Sequence, residues 1–364
     1  MNAESENKAG QAAALLAWYD GNRRILPWRE DPAPFHVWLS EIMLQQTRVE
    51  AVKGYYTRFL EALPDIPSLA DAEEEDLLKL WEGLGYYSRV RNLHRAAQII
   101  VRELGGSMPE TAEELRKLPG IGDYTAAAVA SIAFGKTAAA VDGNLLRVFS
   151  RMTMDPEEMK APAAKKKAEA YFLSLMEEAG SGTERNIPGD INQALMDLGA
   201  TVCLPSGTPL CEECPWNALC RAHESGRETD FPVIPEKKAR KIEKKTVLII
   251  RYDGRTVLRQ RPKKGLLAGM YEFPNEEGTL SEKEALLAAR KLGFQAVRIR
   301  PLPESRHIFT HREWHMSAFE IFADELLEAP GAPLILAAEE EIREKYAIPT
   351  AFSKYRSCVL QNPV

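Results

Sequence analysis

The spacing of hydrophobic residues divides the chain into two parts. From residue 11 to residue 228, apolar positions recur with the 3.6-residue period of amphipathic helices, interrupted by proline and glycine. Beyond residue 245 the period becomes two, which is typical of strands with one buried face. We therefore predict a mainly α first part and a smaller α+β second part. The predicted helices cover residues 11–19, 37–60, 76–80, 88–104, 112–118, 124–134 and 163–179.

Turn and cap signals in the second part support this division. Asp253-Gly254 lies between two strand-like runs and predicts a type I′ hairpin. Ser281 and Glu284 predict a capping box at the start of a helix that Gly293 ends. The strand-like runs are residues 246–252, 255–261, 296–299 and 315–322.

The segment between the two parts has the composition of a linker. Residues 231–245 contain two prolines and a run of lysine and arginine, which favours exposed chain. The total length of 364 residues predicts two or three domains. We predict a first domain at residues 1–228, a linker at 229–244 and a second domain at 245–364.

Net charge alone argues mildly against a nucleic-acid partner. The chain carries a formal net charge of −6 at pH 7. However, residues 86–102 contain four arginines and no acidic residue, and a local basic face suffices to contact phosphates. By itself the cluster is more simply a solvated helix face. The first residues lack the pattern of a secretory signal, and no apolar run has the length of a membrane span.

Four of the five cysteines fall within one short segment, with the spacing C-x7-C-x2-C-x5-C. They are Cys203, Cys211, Cys214 and Cys220, whereas Cys358 is alone and is predicted to be a small core or surface residue. Four thiolates this close can enclose an iron–sulfur cluster or a zinc ion. Two disulfides are the alternative, but disulfides are rare where thiols are kept reduced. The spacing predicts a metal centre and leaves the choice of metal open.

A glycine-containing turn separates two predicted helices. Thr111 and Glu114 predict a capping box before the first helix, and Pro119-Gly120-Ile121-Gly122 joins it to the second. Free amides at the start of a helix can hold a DNA phosphate. An ordinary turn between helices is the alternative.

Two carboxylates are candidates for acid–base chemistry. Glu41 shares a predicted helix face with Trp38 and Ile42, and apolar neighbours raise the proton affinity of a carboxyl group. Asp142 precedes an apolar helix. In isolation, a surface glutamate and a helix N-cap are the simpler interpretations.

Several motifs in order resemble the MutY family of adenine DNA glycosylases, within the helix-hairpin-helix DNA glycosylase superfamily. The resemblance covers nearly all of residues 12–228. The motifs that carry it are LPWR at 26–29, WLSEIMLQQTRV at 38–49, WEGLGYYSRVRN at 81–92, LPGIGDYTA at 118–126, AVDGN at 140–144 and NQALMDLG at 192–199.

The resemblance implies a catalytic role for four residues. Glu41 would protonate the leaving adenine at N7, with Tyr124 assisting by a hydrogen bond, and Asp142 would stabilise the oxocarbenium-like sugar. Asn144 would orient water and a carboxylate. Related enzymes that also cleave the strand have a lysine where this chain has Tyr124, so the resemblance implies a monofunctional glycosylase.

The resemblance also implies which residues contact duplex DNA containing adenine opposite 8-oxoguanine or guanine. Gln46 and Tyr86 would fill the gap left by the extruded base, while Thr47 and Leu84 would touch the opposite base. The remaining DNA-binding residues are Arg29, Gly120 and Gly122 in the first part and Phe309, Thr310 and His311 in the second.

The family resemblance favours a [4Fe–4S] cluster as the cofactor over zinc. The first gap between cysteines is one residue longer here than is usual in the family. Residues 245–360 resemble the Nudix-like (MutT-like) domain of the family, with Phe309-Thr-His311 in place of the usual F-S-H. The glutamates of a Nudix catalytic helix are absent, so we expect recognition of 8-oxoguanine without pyrophosphate hydrolysis. His307, His311 and His315 recur every fourth residue, but their strand-like setting makes a metal site there a minor alternative.

We predict from the resemblance a bacterial, cytoplasmic, nucleoid-associated monomer that acts in base excision repair and has no membrane partner. Three other functions remain open at this stage. They are a glycosylase with lyase activity, a zinc-bearing DNA-binding regulator without activity, and a Nudix hydrolase with a helical appendage.

Overall fold

The computed structural model describes residues 3–180, 185–235, 239–327 and 334–361. The chain forms two compact units. Unit 1 comprises Met1–Asp71 and Asn92–Lys237, and unit 2 comprises Ala72–Arg91 and Lys238–Val364. A segment from the middle of the helical half of the sequence thus belongs to unit 2.

Unit 1 is helical, as the 3.6-residue period predicts. Its main core is formed by four long helices, α1, α10, α11 and α12, which bury Leu15, Phe172, Leu195 and Trp216. The helices lying in unit 1 are α1 Ala3–Asn22, α2 Pro27–Glu30, α3 Pro34–Leu44, α4 Val49–Ala62, α5 Ile66–Asp71, α8 Ala112–Leu115, α9 Asp123–Ile132, α10 Gly143–Thr153, α11 Pro162–Glu178, α12 Ile187–Thr201 and α13 Arg221–Glu224. Helix α6, Glu74–Leu80, lies in unit 2, and α7, Ser88–Glu103, extends from unit 2 into unit 1.

The single helix predicted over residues 37–60 is wrong. Helix α3 ends at Leu44 and α4 begins at Val49, because Gln46 adopts a left-handed backbone conformation with φ of 57°. The helix predicted over residues 112–118 ends early, at Leu115. Its N-cap is confirmed, since the Thr111 side chain accepts a hydrogen bond from the Glu114 amide. The other predicted helices are present. Helix α1 begins eight residues before the predicted residue 11 and ends three residues after the predicted residue 19, and the bounds of the rest shift by at most two residues.

Unit 2 contains a seven-stranded sheet with helices packed on it. The central path runs β3-β2-β1-β6-β5, β4 pairs with β1, and β7 pairs with β2. Only the β1–β6 pairing is parallel among these described strands. The strands are β1 Lys241–Tyr252, β2 Arg255–Gln260, β3 Tyr271–Glu272, β4 Asn275–Glu277, β5 Phe294–Ile308, β6 Arg312–Leu326 and β7 Leu334–Ala337, and the helices are α14 Glu282–Lys291, α15 Glu339–Glu344 and α16 Ser353–Gln361.

The local signals in unit 2 are confirmed. Asp253 and Gly254 both have positive φ and connect Tyr252 to its partner Arg255 in the hairpin. Ser281 and Glu284 form the reciprocal capping box of α14. Strand β1 begins at Lys241, so the end of the predicted linker belongs to the sheet. None of the helices in the described part of the chain has the length and apolarity that a membrane crossing requires.

Candidate active site and cysteine cavity

A cavity of about 190 Å³ in unit 1 brings together the four predicted catalytic residues. Helix α3 supplies Glu41, α9 supplies Tyr124, and the start of α10 supplies Asp142 and Asn144. Since these residues are up to a hundred positions apart in the sequence, the helix packing alone places them in one wall. Other residues that line the cavity are Arg24, Leu26, Trp28, Arg29, Thr47, Gln193 and Met196.

Glu41 is a buried carboxyl group whose proton affinity is raised. Its exposure is 4%, and burial raises its pKa to about 7. The charge of Asp142 raises this pKa further, whereas a hydrogen bond from Tyr124 and the charge of Arg29 lower it. The Oε2 atom has no hydrogen-bond partner among the described atoms. A protonated carboxyl with a free oxygen beside a cavity is suited to donate a proton to a ligand.

Tyr124 occupies the first turn of α9, immediately after the glycine turn. Its hydroxyl group lies next to Glu41, whose pKa it lowers, and donates to the sulfur of Met196 at 3.9 Å. Burial raises the pKa of this hydroxyl well above its ordinary value. The side chain therefore stays neutral. A neutral phenol next to Glu41 can orient a proton but carries no amine that could attack a sugar.

Asp142 is the N-cap of α10 and is held by three hydrogen-bond donors. Its Oδ1 accepts from the amides of Asn144 at 2.8 Å and Leu145 at 2.9 Å, and its Oδ2 accepts from the Asn144 side chain at 3.0 Å. Burial raises the pKa of Asp142, while these hydrogen bonds act in the opposite direction. The N-cap interpretation is confirmed, and the positive end of the helix stabilises a carboxylate at this place in the cavity wall.

Asn144 links Asp142 to the cysteine segment. Its Oδ1 accepts a hydrogen bond of 2.8 Å from Arg147 Nη2. The same guanidinium donates to the carbonyl groups of Gly199 and Cys203, at 2.7 and 2.8 Å. Hydrogen bonds through the side chains of Asn144 and Arg147 thus connect the Asp142 carboxylate to the backbone of Cys203.

A buried carboxylate fixes the arginines at the edge of the cavity. Asp197 on α12 is fully buried and accepts hydrogen bonds from the backbone and side chain of Arg24 and from both terminal nitrogens of Arg29. Arg29, predicted to bind DNA, is therefore held in an ion pair in the wall of the cavity. The prediction did not include Arg24, Gln193, Met196 or Asp197, although the motif at 192–199 contains three of them.

All four predicted metal ligands line a second cavity in unit 1. Cys203, Cys211, Cys214 and Cys220 surround it together with Trp216 and Arg151. None of the four is in a disulfide. The extra residue in the first gap is accommodated, since Leu210 still hydrogen-bonds Val202 across the loop.

The donor atoms around this cavity suit a metal centre. Four thiolates around one cavity are a donor set that fits an iron–sulfur cluster and also a structural zinc site. Among the described residues, the one trio of potential ligand atoms that meet within 4.8 Å of one another is Cys211, His223 and Glu228.

The predicted DNA-binding residues of unit 1 lie in two turns. Gln46 is in the break between α3 and α4, and Thr47 lines the active-site cavity. Gly120 has φ of 78°, and a Cβ atom there would lie 2.5 Å from the Cβ of Asn92. Gly122 is the N-cap of α9, and no side chain caps this helix.

The predicted DNA-binding residues of unit 2 lie around a cavity of about 410 Å³. Tyr86 is 46% exposed, has φ of 48°, and its hydroxyl lies 3.1 Å from that of Thr310. Phe309 and His311 line the same cavity, whereas Leu84 is buried and is not among the residues that line it. The three recurring histidines form no metal-ligand group in the described chain.

Helix α14 is the candidate for the helix that carries the catalytic glutamates in a Nudix domain. Its first turn contains Glu282 and Glu284, and Glu284 is used in the capping box with Ser281. The described acidic residues of unit 2 form no metal-ligand group.

Two family models match the chain. Residues 39–177 match the HhH-GPD superfamily of base excision DNA repair proteins, and residues 246–357 match the NUDIX domain.

Curated relatives are similar over most of the chain. An adenine DNA glycosylase of Mus musculus is 36% identical over 377 aligned residues, which cover 88% of this chain and 72% of that protein. An adenine DNA glycosylase of Buchnera aphidicola subsp. Baizongia pistaciae is 31% identical, with 86% of each chain covered. Among solved structures, a thermostable thymine-DNA glycosylase is 28% identical with a TM-score of 0.53, covering 62% of this chain and all of that one.

Proposed function

The chain belongs to the adenine DNA glycosylase family of base excision repair enzymes, and from this premise we propose its substrate and the roles of its residues. The proposed substrate is adenine opposite 8-oxoguanine, or opposite guanine, in duplex DNA. The enzyme hydrolyses the N-glycosidic bond of that adenine and leaves the DNA strand intact. The observation that carries this proposal is that Glu41 and Asp142 line one cavity with different hydrogen bonding. Glu41 Oε2 has no hydrogen-bond partner among the described atoms, whereas Asp142 accepts three hydrogen bonds.

Glu41 is the general acid in this proposal. With its pKa raised to about 7, a large fraction of Glu41 carries a proton at neutral pH. The unpartnered Oε2 leaves room for a purine nitrogen as hydrogen-bond partner. Protonation at N7 makes adenine a better leaving group, and the neutral Tyr124 hydroxyl beside the carboxyl group assists this transfer.

Asp142 stabilises positive charge on the sugar. Three donors and the N-terminus of α10 fix its position and favour its ionised form. As the glycosidic bond breaks, the sugar becomes oxocarbenium-like, and a fixed carboxylate nearby lowers the energy of that state. Asn144, which hydrogen-bonds Asp142, orients the water that completes the hydrolysis.

Tyr124 is the basis for proposing a monofunctional enzyme. A lyase needs an amine to form a Schiff base with the sugar, and the residue at this position is a phenol that stays neutral. Incubation with a duplex containing one adenine opposite 8-oxoguanine should therefore yield strand breaks only after alkali treatment. Efficient trapping of a covalent adduct by borohydride would instead show lyase chemistry.

The remaining DNA contacts are proposed from the motifs. Gly120 and Gly122 present amides of the α9 turn to a phosphate. Gln46 and Tyr86 fill the space of the extruded adenine, and both have backbone conformations that project a side chain from a turn. The residues proposed to contact the base opposite adenine are Thr47, Leu84, Phe309, Thr310 and His311, and Arg29 contributes its charge near the base pocket.

The four cysteines are proposed to hold a [4Fe–4S] cluster. When bound, such a cluster supplies a rigid cross-link between the segments that carry its ligands. Arg147 donates hydrogen bonds to the backbone of Cys203 and to Asn144, and Asn144 in turn donates to Asp142. The segment that carries the cysteines therefore helps to position Asp142. We propose that the enzyme works as a monomer on bacterial DNA in the cytoplasm.

Exchange of Glu41 for glutamine tests the proposal directly. Glu41→Gln keeps the shape of the side chain but removes its titratable proton. We expect this variant to bind a duplex with adenine opposite 8-oxoguanine as the unmodified enzyme does and to release no adenine in single-turnover assays. Glu50→Gln, which changes an exposed glutamate on α4, is the matched control and should keep full activity. Normal adenine release by Glu41→Gln would remove Glu41 from the acid role.

A further inference from the structure

Three strands of unit 2 carry a row of basic side chains on one face of the sheet. Lys244 on β1 lies opposite His315 on β6, and His315 lies opposite Arg306 on β5. Cross-strand partners point to the same side of a sheet, so the three side chains form one line across it. The function proposed above assigns no role to these residues.

The basic row borders a cavity of about 420 Å³ that is separate from those described above. The hydroxyl groups of Ser305, Ser317 and Thr279 also line it. Cations and hydroxyls around one opening are the donors that proteins use for phosphate groups. Further along the same face, Leu248, Phe319 and Ile321 are covered by α14, whereas the basic row is left open.

The carboxylates near the row pair with one end of it. Glu313 lies 3.2 Å from His315, 4.0 Å from Arg306 and 3.6 Å from Arg240. Glu304 also lines the cavity. Lys244 has no carboxylate within 4.0 Å among the described residues, so it is an exposed cation without an ion pair beside the cavity, and such a cation favours an anionic ligand.

We propose that Lys244, Arg306 and His315 form a phosphate-binding site for the backbone of the bound DNA duplex. The chemical class of the ligand is a phosphodiester, and the site fixes the position of unit 2 on DNA without reading sequence.

The position of the row favours DNA over a free phosphate as the occupant. Arg306 and His315 are three and four residues from the Phe309–His311 turn that joins β5 to β6. At about 3.3 Å per residue, the row lies roughly 10–13 Å from this turn, which corresponds to about three or four nucleotide steps along one strand. If the turn contacts the base opposite adenine, a phosphate of the flanking DNA falls within reach. This inference rests on the proposed function.

Salt-dependent binding of the full chain tests the site. The test variant is the double substitution Lys244→Ala with Arg306→Ala. Its matched control is Lys283→Ala with Arg290→Ala, which removes one lysine and one arginine from the exposed side of α14. Dissociation constants are measured over a range of KCl concentrations, on a duplex with adenine opposite 8-oxoguanine and on an undamaged duplex.

We expect the test variant to weaken binding to both duplexes by the same factor and to reduce the slope of log K against log salt by about 1. The control pair should leave the slope unchanged. Adenine release at saturating enzyme should also be unchanged in both variants, which confirms that they fold.

Two results would overturn the phosphate site. One is an equal slope in the unmodified chain, the test variant and the control. The other is loss of inorganic phosphate binding in the test variant, by calorimetry, with an unchanged DNA slope, since that would assign the site to free phosphate. Failure of the unmodified chain to release adenine from the mispair would contradict the proposed function instead, so the two failures are distinguishable.

Discussion

Burial is the main reason why the carboxyl group of Glu41 retains a proton near pH 7. It removes the water that would stabilise the charged form, and the nearby Asp142 disfavours a second negative charge. Tyr124 and Arg29 act in the opposite direction without cancelling the effect. The surroundings of Glu41 thus raise the pKa of an ordinary carboxyl group far enough for it to be a candidate general acid at neutral pH.

The pH dependence of adenine release should follow this proton. Since the acid must be protonated, we expect kcat/KM to fall as the pH rises through about 7, where Glu41 ionises in the free enzyme. Single-turnover rates at subsaturating enzyme, which are proportional to kcat/KM, would show this limb when measured from pH 5 to about pH 9. A rate that is constant up to about pH 9 would contradict the assignment of Glu41 as the acid.

The ion pairs of Asp197 should contribute strongly to stability. Asp197→Asn leaves the cations Arg24 and Arg29 facing a neutral partner in a buried setting, and we expect a loss of about 3–5 kcal/mol in the free energy of unfolding. Asp20→Asn is the control, because Asp20 pairs with Arg185 at an exposed position and should cost less than about 1 kcal/mol. Urea denaturation of the two variants would compare these values, and equal losses would show that burial does not decide the effect.

At the scale of elements, the glycine turn before α9 depends on two glycines for different reasons. Gly120 needs a positive φ and a close approach to Asn92 on α7. Gly122 has an ordinary φ of −88°, and a Cβ atom there would meet nothing within 4 Å. The first glycine is required by the fold of the turn, whereas the second leaves the helix N-terminus open.

Alanine substitutions should separate these two requirements. We expect Gly120→Ala to destabilise unit 1 by about 1–3 kcal/mol, because the backbone is strained and the new methyl group clashes with Asn92. Gly122→Ala should change the melting temperature little. Thermal unfolding followed by circular dichroism would measure both variants, and equal melting temperatures would contradict the steric argument.

The break between α3 and α4 is a turn that the hydrophobic periodicity of the sequence does not reveal. The apolar spacing of residues 37–60 continues through the break, yet Gln46 takes a left-handed conformation that ends the helix. No glycine or proline marks this position in the sequence. The turn brings Thr47 to the cavity that Glu41 lines. A continuous helix would instead place Thr47 on a different face from Glu41 and away from this cavity.

At the scale of the whole molecule, the four cysteines around one cavity allow a prediction of the metal content of the purified protein. The purified protein should be brown and contain about four iron atoms per chain, because four cysteines line one cavity and offer the donor set of a [4Fe–4S] cluster. Metal analysis and visible absorption spectra would test this. A colourless protein with one zinc per chain would contradict the cluster.

The division into units differs from the division that the sequence suggests. The change of hydrophobic period correctly predicted a helical part followed by an α+β part. However, Ala72–Arg91 is helical in pattern and precedes the cysteine segment, yet it packs with the sheet-containing unit. Tyr271 hydrogen-bonds Glu75 and the Ile348 amide donates to Glu82, contacts between residues more than 190 positions apart that no local pattern specifies.

The sequence by itself determined the elements whose causes are local. The Asp253-Gly254 hairpin, the Ser281 capping box and the N-cap at Asp142 each depend on a few neighbouring residues, and the ordered motifs determined the family. Tertiary structure alone decided the raised pKa of Glu41, the pairing of Asp197 with two arginines and the convergence of four cysteines on one cavity. Burial and charge proximity depend on distances between helices that are remote in sequence, and those distances are fixed only when the core packs.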